Sequence, residues 1–249
     1  EMCFKGAELL GSIWKMIDHY KLEYIQCPTC SSSVATRDND KISCESGHVA
    51  TVGNNSLIWD KQKPNLGKAR FMELAKAAMN PLINPYSPLV MLNRTKIDEY
   101  YDRVLTDTEK AERWRDFYLK DFQCDRNPVL LDHGCGKGRN MAMARNLGFT
   151  VLGQDVSPDD WWRKIPEANI QVTSPSMGNL PWKSDTVDIV CDMMVIHHYD
   201  ESEFCRLATE VHRVLRSGGM WLIYEANAQG AGMHVTREFY GRLHDASDI

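Results

Sequence analysis

Glycines at alternate positions of segment 134–138 are the residues of this chain best suited to close contact with a ligand. Because glycine has no Cβ, the backbone can turn sharply there and approach a bound molecule closely. The apolar residues before the segment predict a short strand, and residues 140–146 predict a helix whose first N–H groups are available to that ligand. A carboxylate, Asp155, ends the next apolar run, where a ribose diol is usually bound. This pattern predicts a site for a nucleotide-type cofactor.

A second set of reactive side chains lies nearer the N-terminus and forms two closely spaced pairs. Its members are Cys27, Cys30, Cys44 and His48. Each pair is short enough for both side chains to reach one tetrahedral ion, and thiolate and imidazole are ligands of structural zinc. The short β-like stretches around the pairs are too small to build a core without such support. Four protein ligands leave no open coordination position, so the pattern predicts a structural Zn²⁺ in a small zinc ribbon.

The composition is that of a globular protein with room for one full domain and a small one. Of the 249 residues, 43% are hydrophobic and 25% are charged, and the formal net charge is −5. No apolar run approaches the roughly 20 residues that a membrane helix needs, so no membrane contact is expected. The eight cysteines are either isolated or in the zinc-type pairs, which indicates a reduced, cytoplasmic protein.

The glycine segment and two later segments resemble class I S-adenosylmethionine (SAM)-dependent methyltransferases of the group called type 11. Residues 132–138, Asp-His-Gly-Cys-Gly-Lys-Gly, are similar to motif I of that family, Asp-x-Gly-Cys-Gly-x-Gly. Residues 180–190 resemble its Leu-Pro-Phe segment leading into strand four, and residues 210–219 resemble the helix and glycine turn before strand five. Over residues 128–228 the resemblance implies an α/β fold with a Rossmann-like class I methyltransferase sheet that could be truncated after strand five.

The resemblance also implies how SAM would be bound. Asp132 would order the glycine turn and bind the methionine ammonium, Asp155 would accept both ribose hydroxyls, and Val156 would flank the adenine. In the family an acid often binds the adenine amino group just before the Leu-Pro segment. Ser176 stands there in this chain, so Ser176 or a backbone carbonyl could replace the acid, and Met177 could pack on the ring. The glycines expected to line the methionine and ribose are Gly134, Gly136 and Gly138.

Two histidines, His197 and His198, follow strand four at the edge where substrates bind in this fold. Either is a candidate general base, because an imidazole is partly neutral near working pH. The family has histidine at this place in proteins of many specificities, where it often serves structure, so both interpretations stay open. Methyl transfer is an in-line displacement on an already activated methyl group. Orientation alone can therefore contribute about 7–11 kcal/mol.

The chain is predicted to contain an N-terminal helix with the zinc ribbon (1–63), a helical cap or linker (64–127) and a SAM-binding methyltransferase domain (128–249). The ribbon resembles the zinc-binding head of rRNA guanine methyltransferases and also the zinc ribbons fused to many bacterial methyltransferases. We expect the cores of the ribbon and of the methyltransferase domain to be separate.

Helical periodicity predicts helices over 68–79 and 97–122, in the part that caps the cofactor and helps build the substrate pocket in the family. Tyr100 and Tyr101 could therefore face the active site, or pack in an ordinary core. Residues 225–249 are too few for the helix and two strands that usually follow strand five. Either the chain stops early, or the sheet is shortened and a partner chain or further domain covers its exposed edge.

The function predicted first is SAM-dependent methyl transfer to a small-molecule or saccharide (glycan) acceptor. One alternative is an RNA-base methyltransferase, acting on rRNA or tRNA, whose zinc ribbon helps to bind RNA. The ribbon segment 21–63 carries equal numbers of basic and acidic residues, which is unlike a surface that neutralises phosphates. Another alternative is a non-catalytic SAM-fold module that binds a partner, but such a module has no physical need for Asp155.

Overall fold

The structure is a computed structural model, and it describes residues 22–38, 41–53, 56–59, 99, 101–156, 158–173 and 179–225. The chain forms two compact units, residues 1–61 with 104–224 and residues 62–103 with 225–249. The sheet described below and both candidate sites belong to the first unit.

Short apolar runs form the strands, and amphipathic stretches between them form the helices. The strands are β1 (Val34–Asp38), β2 (Lys41–Cys44), β3 (Val49–Gly53), β4 (Ser56–Trp59), β5 (Val129–His133), β6 (Thr150–Asp155), β7 (Asn169–Val172), β8 (Val187–Met193) and β9 (Leu215–Tyr224). The α-helices are α1 (Thr108–Tyr118), α2 (Arg139–Asn146) and α3 (Glu201–Val214), and short 3₁₀ helices span Leu22–Tyr24, Asp160–Lys164 and Ile196–His198.

Within the described residues these strands form one sheet in the order β1-β2-β3-β4-β7-β6-β5-β8-β9. Strand β5 is parallel to β6 and β8 and is buried along its whole length, as expected at the centre of a parallel sheet. The chain continues from β5 to β6 on one side and later returns to β8 on the other. The carboxyl end of β5 is therefore the switch point at which open α/β sheets bind ligands. The expected Rossmann-like α/β fold is confirmed.

Helix α3 shows how local sequence begins and orients an element. The Asp200 carboxylate accepts the Glu203 N–H at 2.8 Å, and the Glu203 carboxylate accepts the Asp200 N–H at 3.2 Å, which forms a capping box. Its buried residues recur at helical spacing along one face. They are Leu207, Val211 and Val214.

The single helix predicted over 97–122 is wrong. Residues 101–104 are helical, residues 105–106 form a turn, and α1 then begins anew. The reason is Asp107, whose side chain accepts the Lys110 N–H at 2.8 Å and so caps a new helix. Hydrophobic periodicity does not reveal such a local cap.

The ribbon strands β1–β4 belong to the same sheet as the methyltransferase-like strands, so the expectation of separate cores is wrong. β4 pairs in parallel with β7, and the Trp59 indole N–H donates to Gln171 Oε1 at 2.9 Å in a buried contact. Ile25 and Leu57 of the ribbon share one hydrophobic core with Leu131 of β5. Joining β4 to β7 pairs an edge strand of each part, which removes two exposed edges at once.

Several predicted features lie outside the described residues. They are the helix over 68–79, Tyr100, Ser176, Met177 and residues 226–249. The expectations about the cap, the adenine contacts, the domain boundaries and the C-terminal edge of the sheet stay predictions. In the described part of the chain, no helix has the length and apolar character needed to cross a membrane.

Candidate functional site

The glycine turn joins the carboxyl end of β5 to α2 and uses the left-handed backbone region at each of its glycines. The φ angles of Gly134, Gly136 and Gly138 are 67°, 52° and 82°, values that side chains with a Cβ rarely adopt. A Cβ on Gly134 would lie 2.5 Å from Val195 Cγ2, whereas a Cβ on Gly136 would meet no described residue within 4 Å. Gly134 is therefore required for packing, while Gly136 borders open space that a ligand could occupy.

Asp155, at the end of β6, holds the glycine turn from the neighbouring strand. Its Oδ2 accepts the Gly136 N–H at 2.8 Å, and its Oδ1 accepts the Val156 N–H at 2.7 Å. A carboxylate oxygen accepts more than one hydrogen bond, so these bonds are compatible with ribose binding at the same oxygens. The structure brings Asp155, Val156 and Gly136 together as the sequence predicted, and their cofactor roles stay predictions.

Asp132 is a buried carboxylate beside the glycine turn with an unmet polar atom. Its Oδ1 accepts from the Asn140 side chain at 3.2 Å, while its Oδ2 has no hydrogen-bond partner among the described residues. Burial, with the nearby Asp192 and Asp155 charges, raises the pKa of Asp132 to about 7, although the Asn140 hydrogen bond opposes this shift. A ligand cation would favour the ionised form and satisfy the orphaned oxygen, so this group suits an ammonium.

The tryptophan pair after β6 supports the glycine turn. Trp161 and Trp162 are both buried in the 3₁₀ helix Asp160–Lys164. The Trp162 indole N–H donates to the Gly136 carbonyl oxygen at 2.7 Å. This bond fixes the turn from the side of the β6–β7 connection.

The structure also brings together buried polar residues that the sequence analysis missed. His133 Nδ1 lies 2.6 Å from Asp192 Oδ1, and His133 Nε2 lies 3.1 Å from the Tyr199 hydroxyl. The Trp221 indole N–H donates to the other oxygen of Asp192. Burial lowers the pKa of His133, but the carboxylates of Asp192, Asp155 and Asp132 outweigh it and raise that pKa overall. A histidine and an aspartate near the ends of two apolar strands were the only available sequence signal.

The histidines predicted as candidate bases follow β8 in the 3₁₀ helix Ile196–His198. The His198 side chain is exposed, and the side chain of His197 lies outside the described part of the chain. A catalytic role for His197 or His198 stays a prediction.

The Cys/His cluster comprises the four predicted zinc ligands, and the fold brings all of them together. The ligand atoms of Cys27, Cys30, Cys44 and His48 lie within 4.8 Å of one another. Cys30 Sγ lies 3.7 Å from Cys44 Sγ, and Cys44 Sγ lies 3.5 Å from His48 Nδ1. Zn–S bonds of about 2.3 Å in a tetrahedral site place sulfurs roughly 3.8 Å apart. Both the donor set and its geometry therefore fit Zn²⁺.

Tight turns position these four side chains, and hydrogen bonds connect the first cysteine loop to residues 179–183, which precede β8. The first cysteine loop follows a backbone ladder in which Gln26 N–H donates to Pro181 O at 3.0 Å and Lys183 N–H donates to Tyr24 O at 2.8 Å. The Asn179 side chain also donates to Ser31 Oγ at 3.1 Å. The loop that carries Cys27 and Cys30 is thus bonded directly to the segment that precedes β8.

Comparison with known proteins shows a similarity between part of this chain and methyltransferases. Residues 131–223 match the family model described as a methyltransferase domain. An uncharacterized methyltransferase of Synechocystis sp. is 26% identical over 115 residues, which are 46% of this chain and 54% of the relative. The chain therefore spans about half the length of that relative.

Two solved structures are similar at lower identity. A protein of Pyrococcus horikoshii OT3 is 24% identical, with a TM-score of 0.40 over 57% of this chain and 68% of that chain. The 1,6-didemethyltoxoflavin-N1-methyltransferase of Burkholderia thailandensis, solved with 1,6-didemethyltoxoflavin and S-adenosylhomocysteine, is 15% identical. Its TM-score is 0.40 over 76% of this chain and 70% of that chain.

Proposed function

We propose that this chain is a class I SAM-dependent methyltransferase, which transfers the methyl group of SAM to a small-molecule or saccharide acceptor. The match of residues 131–223 to the methyltransferase-domain family model supports this proposal. The observation that carries the proposal is Asp132 Oδ2, which has no hydrogen-bond partner among the described residues, at the start of the turn that contains Gly136. A buried carboxylate oxygen without a hydrogen-bond donor requires an explanation, and the ammonium group of a bound ligand would be such a donor.

The described residues at the glycine turn support binding of the methionine and ribose parts of SAM. Asp132 would pair with the methionine ammonium, Gly136 would allow the backbone to approach the ligand, and Asp155 would bind the ribose hydroxyls. Val156 follows Asp155 and would flank the adenine. SAM supplies an activated methyl group, so the chain has to orient the acceptor, exclude water and remove a proton where the acceptor carries one.

Charge pairing supports a small acceptor over RNA. RNA binding requires basic side chains that neutralise phosphates, whereas several arginines among the described residues already pair with carboxylates. These pairs are Arg113–Glu109, Arg126–Asp188, Arg163–Asp160, Arg213–Glu210 and Arg216–Asp188. The formal net charge of −5 also disfavours binding to the phosphates of RNA.

We propose further that Cys27, Cys30, Cys44 and His48 bind one structural Zn²⁺. Four ligands complete a tetrahedral shell, so this ion would have no open position for chemistry. Hydrogen bonds involving Ser32 and Ser46 lower the pKa of the Cys30 thiol to about 5, which favours the thiolate that binds metal. A reduced, cytoplasmic location follows from the same need for thiolates.

Two measurements test the function. Calorimetry with S-adenosylhomocysteine should give binding in the micromolar range, about −8 kcal/mol, and the absence of binding would refute the SAM site. Filter binding to bulk RNA at two salt concentrations should show weak association. Tight, strongly salt-dependent RNA binding would instead favour the RNA-base alternative.

A further inference from the structure

Two polar residues occupy matching positions on the central strands of the sheet. His133 of β5 and Asp192 of β8 are register partners, and both are buried at the carboxyl end of the sheet. Burying such a pair is costly unless its hydrogen bonds are satisfied. Both oxygens of Asp192 do accept bonds, one from His133 and one from Trp221. This hydrogen-bonded pair therefore lies at the same end of β5 that carries the glycine turn.

The hydrogen bonds determine which imidazole nitrogen can accept a proton. An ionised carboxylate only accepts, so Asp192 holds the proton of His133 on Nδ1. His133 Nε2 then faces the Tyr199 hydroxyl, which can donate to it at 3.1 Å. An aspartate that orients a histidine toward a hydroxyl is the arrangement that activates hydroxyl groups in unrelated enzymes.

We propose that Tyr199, His133 and Asp192 form a proton relay, which takes the proton from a hydroxyl or amine acceptor during methyl transfer. The inference rests on the proposed function and narrows its substrate class. Tyr199 is the half-buried outer member and would contact the acceptor. His133 and Asp192 act through it and are positioning residues.

The step balances in atoms and charge. The acceptor heteroatom forms a bond to the methyl carbon with its lone pair, and the electron pair of the methyl–sulfur bond stays on sulfur. The acceptor proton passes to the Tyr199 oxygen while the Tyr199 proton passes to His133 Nε2. The resulting imidazolium lies against the Asp192 carboxylate, which stabilises its charge.

The surroundings set the pH dependence of the relay. Burial keeps the Tyr199 hydroxyl protonated by raising its pKa, so it remains a donor to His133. The raised pKa of His133 means that its neutral, proton-accepting form predominates only on the alkaline side of that pKa. Among the described residues, the other charged or polar groups that interact with the relay are Asp132, Asp155, Glu203 and Trp221.

Nitrogen NMR of the full chain with ¹⁵N-labelled histidine tests the relay without an acceptor. At alkaline pH, His133 should carry its proton on Nδ1 and a lone pair on Nε2, and it should become doubly protonated as the pH falls. Tyr199→Phe removes a donor that favours neutral imidazole, so the pKa of His133 should rise. Asp192→Asn should lower that pKa. The matched variant Tyr118→Phe removes a tyrosine hydroxyl outside the relay and should leave the His133 signals unchanged.

The results of these measurements distinguish a failure of the proton relay from a failure of the proposed methyltransferase function. A proton fixed on Nε2 at every pH, an imidazolium that never deprotonates, or a Tyr199→Phe variant with an unchanged His133 pKa would overturn the relay. If Asp192→Asn does not fold, the His133 pKa in Tyr199→Phe, compared with that in the unaltered chain, still tests the relay. Calorimetry with S-adenosylhomocysteine on the same samples tests the methyltransferase proposal separately, because cofactor binding does not depend on the His133 tautomer.

Discussion

The Cys/His cluster and the glycine turn differ in which atoms are available to a ligand. In the cluster the ligand atoms belong to side chains, and they lie within 4.8 Å of one another. In the glycine turn the absence of side chains matters: three backbone positions have positive φ, and two carboxylates surround them. The cluster is therefore sensitive to the chemical type of each residue, and the turn is sensitive to added volume.

The two regions are nevertheless parts of one folded unit. Strand β4 extends the sheet beyond β7, and the first cysteine loop is bonded to residues 179–183. A change in the ribbon should consequently be transmitted to the strands that carry Asp155, because β6 pairs with β7. The predictions below separate local effects from effects that spread through this sheet.

Loss of the metal should have the largest effect. Elemental analysis should find one zinc per chain, and binding on the order of 10 kcal/mol is comparable with the whole stability of a domain. Because the ribbon shares the main core, chelation or Cys30→Ser should lower the melting temperature of the sheet and weaken S-adenosylhomocysteine binding. The exposed Cys205, changed to serine, is the matched control. A chelated chain that melts as before would contradict this coupling.

Substitution of the turn glycines should show the volume dependence directly. Gly134→Ala combines a strained φ with a Cβ 2.5 Å from Val195 and should cost about 2–4 kcal/mol of unfolding free energy. The added Cβ of Gly136→Ala meets no described residue within 4 Å and should cost only about 1–2 kcal/mol. It should nevertheless impair cofactor binding because it fills the open face. Gly148→Ala, strained but remote from the turn, is the control. Denaturant unfolding measures the unfolding free energy, and calorimetry measures the affinity for S-adenosylhomocysteine. If both variants changed stability and binding equally, the different roles of Gly134 and Gly136 would be rejected.

Removal of the Asp155 carboxylate should weaken cofactor binding. Asp155→Ala should reduce S-adenosylhomocysteine affinity by roughly 2–3 kcal/mol through two lost charge-assisted hydrogen bonds. Asp160→Ala removes a carboxylate that pairs with Arg163 on the surface and should change affinity little. Unchanged affinity in Asp155→Ala, measured by calorimetry, would remove Asp155 from the site.

Folding stability and cofactor affinity should change with pH in opposite directions. The pKa of Asp132 is raised from 3.8 to about 7, and that of His133 is raised from 6.5. The folded state therefore retains protons that the unfolded state loses. The associated stability is fully present below pH 3.8 for Asp132 and below pH 6.5 for His133, and it is lost as the pH rises through each folded pKa.

Binding of S-adenosylhomocysteine, which keeps the ammonium, should instead strengthen as Asp132 ionises. The affinity should rise by up to about tenfold per pH unit below roughly pH 7. Asp132→Asn should flatten this dependence. Denaturant melts and calorimetry across that range provide the check, and a binding constant that is independent of pH in the unaltered chain would exclude the ammonium contact with Asp132.

The sequence alone determined the features that are local in the chain. Residues 134–138 and Asp155 predicted the glycine turn, and the pairs Cys27/Cys30 and Cys44/His48 predicted a cluster that the fold assembles. Residues 131–223, within the part where the resemblance was found, match the methyltransferase-domain family model. These features were predictable because a turn needs particular backbone angles at neighbouring residues, and a metal site needs particular donors at short spacing.

Only the tertiary structure decided the features that depend on strand pairing. His133 and Asp192 meet because β5 and β8 pair in one register, and a shift by one residue would point either side chain to the opposite face. The pairing of β4 with β7 likewise joins residues far apart in the chain. Such pairings depend on how much apolar area is buried and how many strand edges are hydrogen-bonded over the whole sheet. A local pattern of residues does not determine either quantity.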